Sequence, residues 1–279
     1  MLKPMSSKHD WMGVMIWSVA ILVAILPLLM LWDILIKGLP HVTLNFLLDE
    51  STDAGRSGGI FPLLVSTFWI LGVCLLAVIP IGLGCALYLS ECVPMENRLA
   101  RFVGTSLDIL SGVPSIVFGL FGYAIFAIQF GLGFSILSGG LSLACMVLPL
   151  FIRTTEQALR SCPSAYRQAA EALNLSFFGY VVRILLPTAA AGIAAALIIS
   201  IGRALAETAV LIFTAGYVTR MPTQWSDSGR ALSVHIYDLS MNVPGGQDNA
   251  AATAVVLIVI IISLNIFAHR LSQRWQAAV

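Results

Sequence analysis

The sequence predicts an all-α integral membrane protein with six membrane-spanning helices and both termini on the cytoplasmic side. Three observations carry this. The 279 residues are 58% hydrophobic and only 10% charged, with a mean hydropathy of +0.93, whereas a soluble domain is about a quarter charged. The apolar residues fall into six segments, most of them near the ~20 residues a helix needs to cross the hydrocarbon core. Lysine and arginine are spread unevenly between the connections. With the N-terminus inside, ten lie on the inner side (Lys3, Lys8, Arg98, Arg101, Arg153, Arg160, Arg167, Arg183, Arg270, Arg274) and four on the outer side (Lys37, Arg56, Arg220, Arg230). Positive charge collects on the cytoplasmic side.

Trp11–Ile36, the first segment, follows Lys3 and Lys8 as a signal peptide would. It is longer than a signal core and has no small-residue cleavage site after it, so it reads as a retained helix. Trp11, Trp17 and Trp32 suit interfacial anchoring. The other segments are Pro62–Ser90, Asp108–Gly131, the short Ile136–Phe151, Ile184–Gly216 and Ala250–Ala268. Pro27, Pro80, Pro114 and Pro149 lie in or near them and are read as kinks. The organisation expected is an N-terminal helix and outer loop (residues 1–60), a five-helix transmembrane domain (61–270) with an inner loop at 153–183, and a cytoplasmic tail (271–279).

The two large outer loops are 37–61 and 217–249. The first carries Asp49, Glu50 and Asp53. In the second, Leu232, Ile236 and Leu239 recur at helical spacing, as expected of a short amphipathic helix on the membrane surface or under a partner. The five cysteines lack metal-ligand spacing and lie outside the outer loops, so neither a disulfide nor a metal site is expected. The four histidines are scattered. No aromatic-basic interleaving suggests nucleic acid.

Arg203 and Glu207 are the only charges in the fifth segment. A charge at bilayer depth costs at least ~2.5–3.5 kcal/mol and so faces a protein interior or a water-filled path. On a continuous helix the i, i+4 spacing puts both on one face. Two readings are open: an anion path lined by an arginine that cannot lose its charge, or a self-neutralised pair pinning two helices together. Thr208 adds a hydroxyl, with a bond to its own backbone as the simpler role.

The inner loop is patterned. Pro163 suits the first position of a helix. Ala165, Ala169, Ala172, Leu173 and Ser176 recur at spacings of three and four, a small-residue face that lets another surface approach. Arg167, Gln168, Glu171 and Asn174 form the polar side, and Asn174 suits the terminator because it tolerates positive φ.

The stretch Tyr166-Arg167-Gln168-Ala169-Ala170-Glu171-Ala172-Leu173-Asn174, followed by Leu186-Pro187, resembles the cytoplasmic EAA loop of ABC importer permeases. Gln168 stands at that family's Glu position, Ala169 and Ala170 at its alanines, and Asn174 at its Gly. Gln keeps length and loses charge; Asn keeps access to positive φ. Glu171 is a substitute for the missing charge. Gly112-Val113-Pro114-Ser115 and Arg203-Ala204-Leu205-Ala206-Glu207-Thr208-Ala209 are similar to segments of phosphate permeases of this group, and His235-Ile236-Tyr237-Asp238 resembles the PstA-type subunit more than the PstC-type.

The resemblance implies a type I importer permease fold and a bacterial or archaeal inner-membrane location. It implies no cofactor on this chain and no catalytic residue. It also implies a homologous PstC-like permease, two copies of a PstB-like ATPase docking on Gln168–Ala172 and Asn174, a PstS-like binding protein, and phosphate passing Arg203, Glu207 and Thr208. The chain lacks the Gly-x-x-x-x-Gly-Lys-Ser/Thr loop that cradles ATP, so the ATPase is expected on a separate polypeptide. Two further readings stay open. An ion-gradient carrier would use Arg203 and Glu207 as a proton-coupled pair, and a membrane scaffold would use them for packing. A PstC-type subunit and a permease for another tetrahedral oxyanion remain alternatives within the family.

Overall fold

A computed structural model describes residues 10–94 and 97–277, with side chains described for 11–94 and 97–270. Lys3, Lys8, His9 and the Arg274 side chain, all used above, lie outside the described residues. Twelve α-helices follow in order: α1 Asp10–Gly38, α2 Leu44–Leu48, α3 Phe61–Leu87, α4 Arg98–Ser111, α5 Ser115–Gly122, α6 Ile136–Arg160, α7 Ser164–Ala172, α8 Phe177–Tyr180, α9 Leu186–Ala206, α10 Ala209–Thr214, α11 Leu232–Met241 and α12 Gln247–Ala277. Among the described residues, five helical rods are long and apolar enough to span, and α4 with the helix after it makes a sixth, bent span.

α6 is the hub. Its apolar window is 67% buried, the largest share of any rod, so it sits among the other helices rather than against lipid. Small residues allow this. A Cβ on Gly140 would press on Val73 of α3, and one on Gly122 would collide with the Ser142 hydroxyl of α6. Lipid tails are as apolar as side chains, so helices in a bilayer gain by close van der Waals contact, which small residues permit. Around α6 the core gathers Cys74 and Val78 of α3, Val147 and Phe151 of α6, Ala196 and Leu205 of α9, Leu211 of α10 and Leu257 of α12. α6 also runs nine residues past the expected end of the fourth segment, carrying Arg153, Glu156 and Arg160 on its last turns.

The third expected segment, 108–131, is not one helix. α4 ends at Gly112, and Pro114 takes an extended ψ of 137° as the N-cap of α5. The two arms meet at 99°. Pro114 has no N–H to continue α4, and proline drives the residue before it out of the helical region. What the sequence suggested as a kink is a corner. α5 then widens into a π-helical stretch, Tyr123–Gln129.

The fifth segment differs from expectation at both ends. Its rod starts at Phe177, with Ser176 as N-cap accepting from the Gly179 amide at 3.2 Å. Pro187 is accommodated because the preceding turn, Val181–Leu185, is π-helical; a wider turn removes the need for the missing donor. The helix then stops at Ala206, and α10 begins at Ala209.

In the first large loop, Ser51–Thr52 pairs antiparallel with Ser57–Gly58 around a turn in which Asp53, Ala54 and Gly55 all have positive φ. The second loop departs from expectation. α11 forms where Leu232, Ile236 and Leu239 predicted, but it does not lie on a surface. Leu232, Val234, His235 and Leu239 are fully buried, and the Leu232 amide donates to Thr67 Oγ1 of α3 at 3.0 Å. Polar Ser233, His235 and Asp238 find partners inside, so the helix is buried on more faces than its apolar stripe covers.

Candidate functional site: a broken span and a short exposed helix

Arg203 occupies the last turn of α9, and the chain leaves the helix just after it. Glu207 is the C-cap, with φ −76° and ψ 129°. Thr208 caps α10 with φ −114° and makes no side-chain cap bond. The continuous helix expected through this segment ends here: residues 204–206 are still helical, and the chain turns extended at the ψ of Glu207, after the side chains of both Arg203 and Glu207 have been placed. Among the described residues they form no ion pair with each other. Arg203 is half-buried, and its Nε is buried with no hydrogen-bond partner among the described residues. Buried donors are nearly always paired, so this nitrogen beside a helix end is an exception.

The break itself is held. Ser233 Oγ of α11 donates to the Glu207 carbonyl at 2.6 Å. Beside it lies a buried polar cluster that joins Arg230, expected as an outer-loop charge, to His235 and Asp238 of the His235-Ile236-Tyr237-Asp238 stretch. Arg230 Nη1 meets Asp238 Oδ2 at 3.0 Å and His235 Nδ1 at 3.3 Å. Arg230 Nε donates to the Tyr217 carbonyl at 2.9 Å, and the guanidinium lies over the Tyr217 ring. Burial, reinforced by the Arg230 charge, pushes the His235 imidazole down to about 3. Burial also lowers Arg230, against the raising effect of Asp238. His235 is therefore a neutral packing residue at physiological pH, its ring set against Gly55 of the first loop, where any Cβ would overlap it. The signal was present in the spacing: His235 and Asp238 stand at i, i+3 on one helix.

At the other end of the bundle, α7 spans Ser164–Ala172. Pro163 is its N-cap rather than its first residue, a shift of one position. Asn174 has φ +53°. Its amide bonds the Glu171 carbonyl at 3.0 Å, and the Leu175 amide reaches Ala170 at 3.0 Å. That pair of bonds is the Schellman ending, with asparagine in the left-handed position. Ala170 is buried in a small core with Leu89, Leu159, Tyr180 and Leu185, which anchors α7 to the bundle. Gln168, Ala169, Glu171, Ala172 and Asn174 are exposed. The expected small-residue face is thus present at Ala165, Ala169 and Ala172. Ser176 does not belong to it, because it caps the next helix.

A second group was missed. Arg153 forks onto Asp108 of α4, Nε to Oδ1 at 2.7 Å and Nη2 to Oδ2 at 2.8 Å, while its Nη1 reaches Glu156 at 2.8 Å. Arg160 Nε takes the other Glu156 oxygen at 2.9 Å. Ending the fourth segment at Phe151 put these residues in a loop. Ile152, Thr155 and Leu159, all buried, continue the helical period and could have revealed them.

A bent span, a span broken near a charged residue and a short exposed helix between the fourth and fifth of the six spans fit a type I importer permease, a membrane subunit that is not itself an enzyme. The chain belongs to the family described as binding-protein-dependent transport system inner membrane component, whose model matches residues 78–277. It is 33% identical over 251 residues, 85% of each chain, to the probable ABC transporter permease protein YqgI of Bacillus subtilis. It is 33% identical over 249 residues to the phosphate transport system permease protein PstA 2 of Mycobacterium bovis, covering 87% of this chain and 80% of the relative. The PstA of Pasteurella multocida is 30% identical over 244 residues, 86% of this chain and 85% of the relative. Among solved structures, a bacterial alginate ABC transporter in complex with its periplasmic protein superposes with a TM-score of 0.69 at 17% identity, covering 96% of each chain. The inward-facing methionine transporter MetNI gives 0.61 at 17%, over 77% of this chain and 96% of that one.

Proposed function

We propose that this chain is the PstA-type permease subunit of an ATP-driven phosphate importer in a bacterial or archaeal inner membrane. The observation that carries the reading is the unpaired, buried Arg203 Nε at the α9–α10 break. Discontinuous helices at membrane depth are tolerated where they line a cavity, and transporters use them at substrate sites. A guanidinium fork matches two phosphate oxygens better than an ammonium does. The choice of phosphate is supported by the PstA names of the relatives.

In this reading phosphate passes Arg203, with the Thr208 hydroxyl as a second donor. Glu207, one turn on at the C-cap of α9, acts as the nearby carboxylate that keeps the anion from binding too tightly to leave; conduction requires weak enough binding for release. α7 is the coupling helix, with Gln168, Ala169, Ala170, Glu171, Ala172 and Asn174 forming or supporting its contact with a separate ATPase. Two copies of that PstB-like ATPase, a PstC-like second permease and a PstS-like binding protein complete the assembly. Closure of the ATPase pair moves α7 and switches the path between two packings.

The test is radiolabelled phosphate uptake by proteoliposomes holding this chain with its partners. The reading expects uptake that needs ATP and the binding protein and is competed poorly by sulfate. Uptake that ignores ATP and follows a proton gradient would replace it with an ion-driven carrier.

A further inference from the structure

We propose that a chain of ion pairs running along the α7 end of the bundle carries the movement of α7 to the bent α4–α5 span, with Glu156 as the positioning residue at its centre. The proposal rests on the importer reading in one respect only: α7 is the segment the ATPase moves.

The chain is continuous in the structure. On α4, Asp108 receives the Arg153 fork through both carboxylate oxygens. Arg153 and Arg160 then share Glu156, one oxygen each. Arg160 Nη2 also donates to the Leu89 carbonyl, in the π-helical turn Tyr88–Cys92 that ends α3. Two residues on, Glu91 lies 3.8 Å from Arg167 of α7, and Arg167 turns to Glu171 at 3.4 Å. Ion pairs join α4 to α6 and the end of α3 to α7, and the Arg160 hydrogen bond to the Leu89 backbone connects the two groups.

The parts differ in how firmly they are set, and this gives the chain a direction. Glu156 is the fixed point, with its side chain only 8% exposed and both oxygens engaged. The ends are looser. Asp108 is 58% exposed and the Glu91–Arg167 contact is long. Space lies beside both ends. A cavity of about 250 Å³ is bordered by Arg101, Thr105, Asp108 and Arg153, and one of about 200 Å³ by Glu91, Arg167, Glu171 and Tyr180. Side chains at the ends have room to change partners, while the buried centre does not. α4 can respond because it is joined to α5 through a 99° corner rather than a continuous rod, and its arm is held to α6 at Gly104, where a Cβ would meet Arg153 Nη1 at 3.3 Å. Coupling through a packed network is a claim about two discrete arrangements, so the test must read both ends.

Spin labels are placed at exposed Ser164 of α7 and Leu99 of α4, each paired with a reference label at Ile266 of α12, in the assembled complex with accessible cysteines replaced by serine. Distances are measured without nucleotide and after ATP–vanadate trapping. The expected result is that both distances change in the parent complex, whereas in Glu156→Gln the α7 change persists and the α4 change is lost. Asp108→Asn, at an exposed position where folding is not at stake, is expected to do the same. In both variants phosphate uptake falls several-fold while ATP hydrolysis continues. Glu156→Asp, which keeps a carboxylate between the two arginines, is expected to retain part of the α4 change that Glu156→Gln loses, which a merely structural role would not predict. An α4 change that survives both Glu156→Gln and Asp108→Asn, or that is missing in the parent while α7 moves, overturns the proposal. An α7 that does not move overturns it too, and also removes the coupling reading. Phosphate uptake is read separately, so a wrong substrate leaves the distance result standing.

Discussion

His235 shows how one buried side chain ties the two outer loops together. It is fully buried among Arg230, Asp238 and Gly55, and its imidazole is held far below the usual 6.5, at about 3. The sign of the pH effect follows. The folded protein keeps the ring neutral, while the unfolded chain protonates it below about 6.5, so its stabilising contribution is whole above that value. It is lost progressively as the pH falls toward 3. Thermal unfolding of the purified complex should therefore drop in midpoint between pH 6.5 and pH 4, and His235→Gln should flatten that slope. Gly55→Ala adds a Cβ at φ +97° against the same ring, a combination that costs on the order of 1–3 kcal/mol. It is expected to lower the midpoint at neutral pH, and an unchanged midpoint would mean the loops are not packed as described.

The short exposed helix α7 is the element whose anatomy makes the sharpest predictions. Its Schellman ending needs positive φ at Asn174. Asn174→Gly should be tolerated with full ATPase binding, whereas Asn174→Val, β-branched in a left-handed position, should cost about 1–2 kcal/mol locally and weaken binding. Ala169→Trp places bulk on the exposed face and should reduce ATPase recovered in a pull-down without affecting membrane insertion. Ala170 is buried against the bundle and so contributes by anchoring α7 rather than by contact. Sequence reading found this helix because small residues, a proline and an asparagine each left a local signature. It misjudged the neighbouring elements for equally physical reasons. Helical periodicity cannot tell a rod from two arms at a proline corner, nor show that α9 stops at Ala206, since Ala and Leu continue smoothly into α10. Burial of α11 depends on partners far along the chain, such as Thr67 and Glu207, which no local pattern contains.

At the scale of the molecule, the bundle is organised around α6, and its closest approaches depend on glycine. Gly140→Leu would drive a branched side chain into Val73 of α3, an overpacking that costs typically ~1–3 kcal/mol. It should lower the yield of assembled complex in detergent extracts. The number of apolar segments and the family motifs were legible in composition and spacing. Arg203 stood out in the sequence as a charge among apolar residues, but the end of α9 beside it is a property of the folded backbone. The proposed importer role places this arginine in the path of phosphate. The most direct test compares phosphate uptake and ATP hydrolysis in proteoliposomes carrying the parent chain, Arg203→Lys or Arg203→Ala. Both variants should assemble and hydrolyse ATP. Arg203→Lys keeps the charge but loses the fork, so uptake should fall roughly tenfold or more, and Arg203→Ala should abolish it. Uptake by Arg203→Ala at the parent rate would contradict the account and return Arg203 to a packing role.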